Sequence, residues 1–309
     1  MKIGIDMMGG DYAPLEAVKG IQQYLAGANP AHLVLTGDEA LVRPLLEEHG
    51  IPAEAFTLVH APEVIDMHEH PTKALKEKQQ SSIAIGFHLL STGKTDAFIS
   101  AGNTGAMLVG SLYFLKALPG VLRPTISTII PKENGSTGLL LDVGLNSDCK
   151  PEQLNQFARM GSIYARHILG IENPRVALLN IGEEEGKGNL LAQNTFPLLK
   201  TNEHINFVGN VEGRDILLDK ADVMVCDGFT GNIILKLAES LFEITRQKNI
   251  GHEYFDRFNF ENYGGTPVLG ISHPVIIGHG ISQGKAFHNM ITLAQKMIYT
   301  EVMQQMSMD

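Results

Sequence analysis

Three short strings in this 309-residue chain place glycines beside side chains suited to gripping a small anion. They are Ala101-Gly102-Asn103-Thr104-Gly105, Gly182-Glu183-Glu184-Glu185-Gly186-Lys187-Gly188-Asn189 and Asp227-Gly228-Phe229-Thr230-Gly231-Asn232. Each follows a short apolar run and precedes a helical pattern. Amides at a helix N-terminus are unpaired donors at the positive end of the dipole, and glycine lets a ligand come close to the backbone. The chemistry on offer is binding of a phosphate-sized anion and stabilisation of a developing oxyanion, with Lys187 as the cation and Asn232 as a side-chain donor. Each string also has an ordinary explanation. Asn103, Thr104 and Thr230 are good helix caps, Phe229 is a good core anchor, and Lys187 is a good solvated lysine. His279, in Gly278-His279-Gly280, sits in a similar loop, where a histidine is more often a hydrogen-bonded structural residue.

Other chemistries lack their residues. The 182–189 loop is one residue short of a P-loop, has Gly188 where Ser or Thr is needed, and carries three glutamates that would repel a triphosphate. No strand-to-helix turn reads Gly-x-Gly-x-x-Gly, and none reads Gly-x-Ser-x-Gly. His68-Glu69-His70 lacks the spacing of two ligands on one helical face, so neither a metal nor another cofactor is expected. Cys149 and Cys226 are too few for a disulfide framework or a cysteine zinc site; beside apolar runs, they are expected to be buried thiols. A formal charge of −10 argues against a nucleic-acid partner. No apolar run reaches the ~18 residues of a membrane span, and the chain starts directly on a strand-like pattern, so a soluble, cytoplasmic protein is expected.

The elements that must position these loops recur as strand, polar loop, helix. Strand-like runs occur at 2–6, 32–36, 57–60, 97–100, 139–143, 176–181, 222–226 and 275–277. Helical patterns begin near Pro14 and after Pro151, and cover about 38–49, 72–91 and 284–303, with others after the three strings. This alternation predicts an α/β fold with a mainly parallel sheet and helices on both faces. Ligands of such sheets bind beyond the strand C-termini, the edge at which all the glycine-rich loops fall. With no linker, composition shift or repeat, residues 1–309 read as one domain. The polar stretch 245–265 reads as a protruding excursion.

Taken together, the strings resemble the bacterial phosphate acyltransferases of phospholipid synthesis. The matching motifs are Asp6 with Met8-Gly9-Gly10-Asp11 and Ala13-Pro14, Ser100 through Ala106, Arg123-Pro124, and Leu140-Asp142-Val143-Gly144 with Asn146. Asn180 through Asn189, Gly209 through Asp215, Ala221 through Asn232 and Tyr263-Gly264-Gly265 complete the ordered set, which covers about residues 1–295. Met7 replaces an alanine of the family pattern, and the stretch after the Asn232 helix is shorter and less leucine-rich.

The resemblance implies a homodimeric three-layer α/β/α sandwich, similar to phosphotransacetylases and isocitrate-type dehydrogenases. It implies transfer of a fatty acyl group from acyl carrier protein to inorganic phosphate, with no metal or nucleotide. The acyl phosphate would pass to a membrane glycerol-3-phosphate acyltransferase. A helical tip would touch the membrane, where Phe255, Phe258 and Phe260 supply apolar contact among Glu253, Asp256 and Glu261. Lys187 and Asn232 are the expected catalytic residues. Gly102, Asn103, Thr104 and Gly105, with Asp142, Asn146 and Gly186, are expected at the phosphate and substrate. Asp227, Thr230, Gly231 and His279 complete that set. Three other readings stay open: a short-chain phosphotransacetylase using acetyl-CoA, a dehydrogenase of the related fold, and a catalytically silent membrane-associated scaffold. The dehydrogenase would need a nicotinamide site and an acidic metal cluster, and the intact loops argue against the scaffold.

Overall fold

The β-branched and apolar runs become strands in the computed structural model, which describes residues 1–308. In chain order the strands are β1 (Lys2–Asp6), β2 (His32–Gly37), β3 (Phe56–His60), β4 (Ala97–Ser100), β5 (Thr125–Pro131), β6 (Thr137–Leu141), β7 (Arg175–Asn180), β8 (Asn206–Glu212), β9 (Val223–Val225), β10 (Thr266–Leu269) and β11 (Val275–Ile277). The helices are α1 (Leu15–Leu25), α2 (Glu39–Glu48), α3 (Pro71–Glu77), α4 (Ser82–Ser91), α5 (Thr104–Phe114), α6 (Pro151–His167), α7 (Leu190–Lys200), α8 (Gly228–Gln247), α9 (Glu253–Asp256) and α10 (Gly284–Tyr299). Although no linker is visible in the sequence, the chain divides into two compact units. The first is Met1–Lys116 with Phe260–Met303; the second is Ala117–Asn259 with the C-terminal residues from Gln304.

In the first unit the strand order is β3-β2-β1-β4-β11-β10, parallel throughout except for the antiparallel β10–β11 pair. β1 lies between β2 and β4 and is buried from Ile3 to Asp6. A strand buried on both faces reads as a continuous apolar run rather than an alternation, as Ile3-Gly4-Ile5 does. α1 and α10 pack together, and α4 covers β1 and β4. Because β1, β4 and β11 run in the same direction, the loops after Asp6, Ser100 and Ile277 leave at one edge. The single helix expected over 72–91 is two. α3 ends at Glu77, and α4 restarts after Ser81, whose hydroxyl caps the Ala84 amide at 3.3 Å. A serine that bonds local backbone competes with helix continuation.

In the second unit the order is β5-β6-β9-β7-β8, with β5–β6 antiparallel and the other pairs parallel. β6 ends two residues earlier than expected, at Leu141, which moves Asp142 out of the strand and into the loop. α6 packs against β6 and β9, and against α7. At the N-terminal edge of β7 and β9, Lys132 is fully buried and reaches Asp222 at 2.8 Å and Asp219 at 3.0 Å. Arg175 joins both carboxylates. Burial would raise the Asp222 carboxyl, but hydrogen bonds from Arg175 and Lys132 outweigh it and hold the group well below the usual carboxylate range.

Within the stretch 245–265, residues 254–258 are held against the rest of the second unit. α9 folds back on the β5–β6 hairpin, where Tyr254 Oη donates to Pro131 O at 3.3 Å. Arg257 donates to Lys132 O at 2.9 Å and to Ser136 O at 2.6 Å. Phe258 is buried there, against Tyr254, and Phe260, in the first unit, stacks on His279. Three carbonyl acceptors and an aromatic contact give this short segment a place on the protein surface that its polar composition conceals. No helix among the described residues is long and apolar enough to cross a membrane.

Candidate active site

In the second unit β9 lies between β6 and β7, all parallel, so the loops following these strands leave at one edge with the β9 loop in the middle. That loop opens α8. Asp227 caps the helix, accepting the Thr230 amide at 2.8 Å and the Thr230 hydroxyl at 3.0 Å. The neighbouring loop is shaped by Asp142, which is completely buried. Its carboxylate accepts the amides of Gly144, Leu145 and Asn146 and the Asn146 side-chain amide, the last two at 2.7 Å. Burial raises the Asp142 carboxyl, while the hydrogen bonds of Asn146 and Leu145 pull the other way.

The two loops are joined tightly. Gly228 N donates to Asn146 O at 2.8 Å, and Cys226 Sγ lies 3.6 Å from Asp142 O. Gly231 packs so closely that a Cβ there would lie 1.8 Å from Asp142 O. Only glycine permits that approach. Asn232 follows at once and is exposed, with its side chain against Gly144. Cys149 is only half-buried, against expectation; its Sγ donates to Asn146 O at 3.5 Å, and desolvation, reinforced by Asp142, pushes its thiol up to about 12. Burial likewise raises Cys226.

Lys187 lies in the loop after β7, on the other side of β9. Two asparagines fix the loop backbone: Asn180 Nδ2 donates to Lys187 O at 3.0 Å, and Asn210 Nδ2 to Glu184 O at 3.0 Å. The Lys187 ammonium itself is exposed and stands 4.0 Å from Glu184. No hydrogen bond joins Lys187 to Asn232 among the described residues. What they share is the sheet edge.

In the first unit the loops after β1, β4 and β11 meet around Asp6, which is completely buried. Asp6 accepts the Ser100 hydroxyl at 2.6 Å and the Met8 amide at 2.9 Å. Burial raises its carboxyl and these bonds lower it, with a net rise. Ser100 Oγ in turn accepts the Gly102 amide at 2.9 Å. A Cβ on Gly9 would lie 2.5 Å from both Asp6 Oδ2 and Gly102 N, so the first two loops touch backbone to backbone. Asp11 N donates to Gly280 O at 2.7 Å and ties in the third. His279 is half-buried, accepts the Ile281 amide through Nδ1 at 3.5 Å, and stacks on Phe260.

Several residues expected at the substrate are committed to the protein instead. Asn103 Nδ2 donates to the carbonyls of Asp66, Met67 and Glu69, and its Oδ1 caps α5 through the Ala106 amide. Asp142 and Asn146 are spent on their own loop, with Asn146 also donating to Pro124 O at 2.9 Å. The Gly102 amide is taken by Ser100. What remains open in loop 101–105 is the first-turn amides of Thr104 and Gly105. Asp6, Ser100, Asn180 and Asn210 are positioning residues that lie in the family-like motifs of the sequence but were not among the expected site residues. A polar residue ending a strand beside a glycine-rich loop was the available signal for the first three; for Asn210, mid-strand, only the Gly209–Asp215 motif marked it. Among the described residues no group of three His, Cys, Asp or Glu side chains could hold a metal ion.

The result is a mostly parallel α/β fold in which buried carboxylates brace glycine-rich loops at the sheet edge. Solved structures with this fold include a phosphotransacetylase from Streptococcus pyogenes (TM-score 0.67, 18% identity, covering 96% of this chain and 94% of that one). A branched-chain phosphotransacylase from Enterococcus faecalis gives a TM-score of 0.61 at 15% identity, with 96% and 98% covered. In sequence, the family described as "Fatty acid synthesis protein" matches residues 1–250 and 247–305. Relatives named phosphate acyltransferase include those of Dictyoglomus turgidum, 43% identical over 98% of this chain and 95% of the relative, and Chlorobaculum parvum, 44% identical over 98% and 96%. The chain belongs to this phosphate acyltransferase family.

Proposed function

We propose that this acyltransferase moves a long-chain fatty acyl group from acyl carrier protein to inorganic phosphate, giving acyl phosphate for phospholipid synthesis. The observation that carries the reading is the shared edge of β7 and β9, where a lysine loop and an asparagine-bearing helix start emerge from adjacent parallel strands in a chain of this family. A thioester is already activated, and phosphate is itself an anionic nucleophile. A phosphate oxygen attacks the thioester carbonyl, a tetrahedral oxyanion forms, and the C–S bond breaks. The thiolate, with a pKa near ~8.5, leaves without a strong acid and takes its proton from solvent. The protein must hold phosphate at attack distance and stabilise the oxyanion. Lys187 neutralises phosphate, and Asn232 donates to developing negative charge. In the first unit, the Thr104 and Gly105 amides offer a second pair of anion donors.

The test is product analysis with palmitoyl-ACP, palmitoyl-CoA and acetyl-CoA as donors. Acyl phosphate, formed fastest from palmitoyl-ACP, is the expected outcome. Acyl transfer directly to glycerol 3-phosphate by the pure protein would refute the assignment, and preference for acetyl-CoA would favour the short-chain phosphotransacetylase.

A homodimer belongs to the same proposal. α8 is 20 residues long, yet only Gly228, Gly231 and Thr245 are buried, and Phe229, Ile233, Leu237 and Ile244 stand more than half exposed. An apolar helix face left in water is expected to find a partner surface. Sedimentation should show a dimer that Ile233→Asp with Leu237→Asp converts to monomer. Delivery of acyl phosphate to a membrane glycerol-3-phosphate acyltransferase favours peripheral membrane contact. With Phe258 buried, that contact would fall to Ile250 and Phe255, and serine at both should reduce liposome co-sedimentation.

A further inference from the structure

The three glutamates of the 182–189 loop are unexpected beside a residue that binds phosphate, and their partners differ. Glu183 lies 2.7 Å from Lys220, which also holds the buried Asp215 at 2.9 Å. Glu185 lies 2.9 Å from Lys200 on α7. Both therefore tie the loop to neighbouring elements. Glu184 has no such anchor: its carboxylate faces Lys187, three residues on, at 4.0 Å, and both side chains are more than half exposed. The backbone between them is fixed by the Lys187 N to Glu184 O turn at 3.1 Å and by the Asn180 and Asn210 clamps. A rigid loop thus presents one loosely paired cation with its own anion beside it.

We propose that Glu184 is the counter-ion that phosphate displaces from Lys187, and that it thereby sets the phosphate concentration at which the enzyme works. This rests on the reading that Lys187 binds phosphate. An exposed pair of this length is weak, so a ligand can break it. A doubly charged anion at the same distance attracts Lys187 about twice as strongly as one carboxylate does. A singly charged anion has no such advantage over a carboxylate already held nearby, whose effective concentration is on the order of millimolar or more. Glu184 therefore raises the anion concentration needed to occupy Lys187, and phosphate's double charge is what lets it compete. It also returns to the lysine as acyl phosphate leaves.

The experiment compares Glu184→Gln with Glu183→Gln and Glu185→Gln, which remove the same charge from the same loop, in wild-type and Lys187→Ala backgrounds. Glu184→Gln should lower the KM for phosphate about 2–5-fold, the range open to one exposed ion pair. The other two substitutions should change KM by less than 1.5-fold or so. In the Lys187→Ala background Glu184→Gln should have no further effect. An unchanged KM in Glu184→Gln, with KM raised in Lys187→Ala, overturns this inference and leaves the phosphate role of Lys187 standing. Equal effects from all three glutamines, or an effect that persists without Lys187, make general charge repulsion the cause and also overturn it. An unchanged KM in Lys187→Ala removes the underlying reading itself.

Discussion

Replacing Gly231 with alanine tests whether the two site loops of the second unit must touch. The added carbon would lie 1.8 Å from Asp142 O, 2.9 Å from Asp142 C and 3.1 Å from Cys226 Sγ. Contacts of this kind are not seen below 3.0 Å, so the backbone must open by roughly 1 Å. Neither side can give way alone. Asp142 N and Cys226 N are bonded to Cys226 O and Leu141 O at 3.0 and 2.8 Å, and Gly231 N is bonded to Asp227 O at 3.0 Å. Overpacking of this sort costs about 1–3 kcal/mol, equivalent to a melting temperature lower by roughly 2–12 °C in a unit of this size. A shift of about 1 Å at a reacting group costs on the order of 10²-fold in rate. Gly231→Ala should therefore lose both stability and kcat/KM. Gly186→Ala, with nothing within 4 Å of the added carbon, should melt like the wild type. Thermal melts alongside acyl phosphate production measure both. A Gly231→Ala protein that melts within about 1 °C of wild type and keeps more than half its turnover would refute the close-approach argument.

Further outcomes can be checked on the same protein. Asn232→Ala should lower kcat ~10²–10³-fold with a near-wild-type melt, because its side chain is exposed; retention of half the kcat/KM would remove its oxyanion role. Turnover should survive EDTA, given the lack of a metal-ligand cluster among the described residues, and activity restored only by an added divalent ion would contradict that. Asp222, whose carboxyl is depressed in the fold, contributes stability that is present above the unfolded value near ~3.9 and is lost as pH falls through the folded value. Asp222→Asn should cost about 3 kcal/mol at pH 7, because Lys132 stays buried, and should flatten the acid limb of the stability profile; an unchanged limb would shift that limb to other groups.

Much of the fold was legible because its strands are buried on both faces. Runs such as Ile3-Gly4-Ile5 and Ala97-Phe98-Ile99 carry their signal without any partner being known. β5 escaped notice because Thr125-Ile126-Ser127-Thr128 mixes hydroxyls with aliphatics, and its strand state depends on pairing with β6. The glycine-rich loops were recognised by type, and their positions beyond the strand ends followed from parallel topology. The division of labour within them was not. Asn103 and Asp142 look like ligand contacts in sequence, yet one caps a helix while clamping three carbonyls, and the other holds three successive amides. Side-chain direction at a strand end depends on which backbone donors lie nearby, and those come from residues distant in the chain. The anchoring of the 253–258 segment was hidden for a related reason: Arg257 is charged, but its partners are carbonyls of the β5–β6 hairpin more than a hundred residues earlier.

The two cysteines turn this architecture into a built-in reporter. With the Cys149 thiol at about 12, only on the order of one molecule in 10⁵ carries the reactive thiolate at pH 7, against a few per cent for a free cysteine. Both sulfurs are directed at backbone carbonyls of the loop that Asp142 organises. Cys149 is half-buried, but Cys226 is buried, so alkylation of Cys226 in native buffer would proceed only when that loop opens. Its rate would measure how often the second unit's site comes apart, with no label added and no residue changed. A ligand that tightens the loop would slow the reaction, so a simple thiol titration would register occupancy even when no product forms.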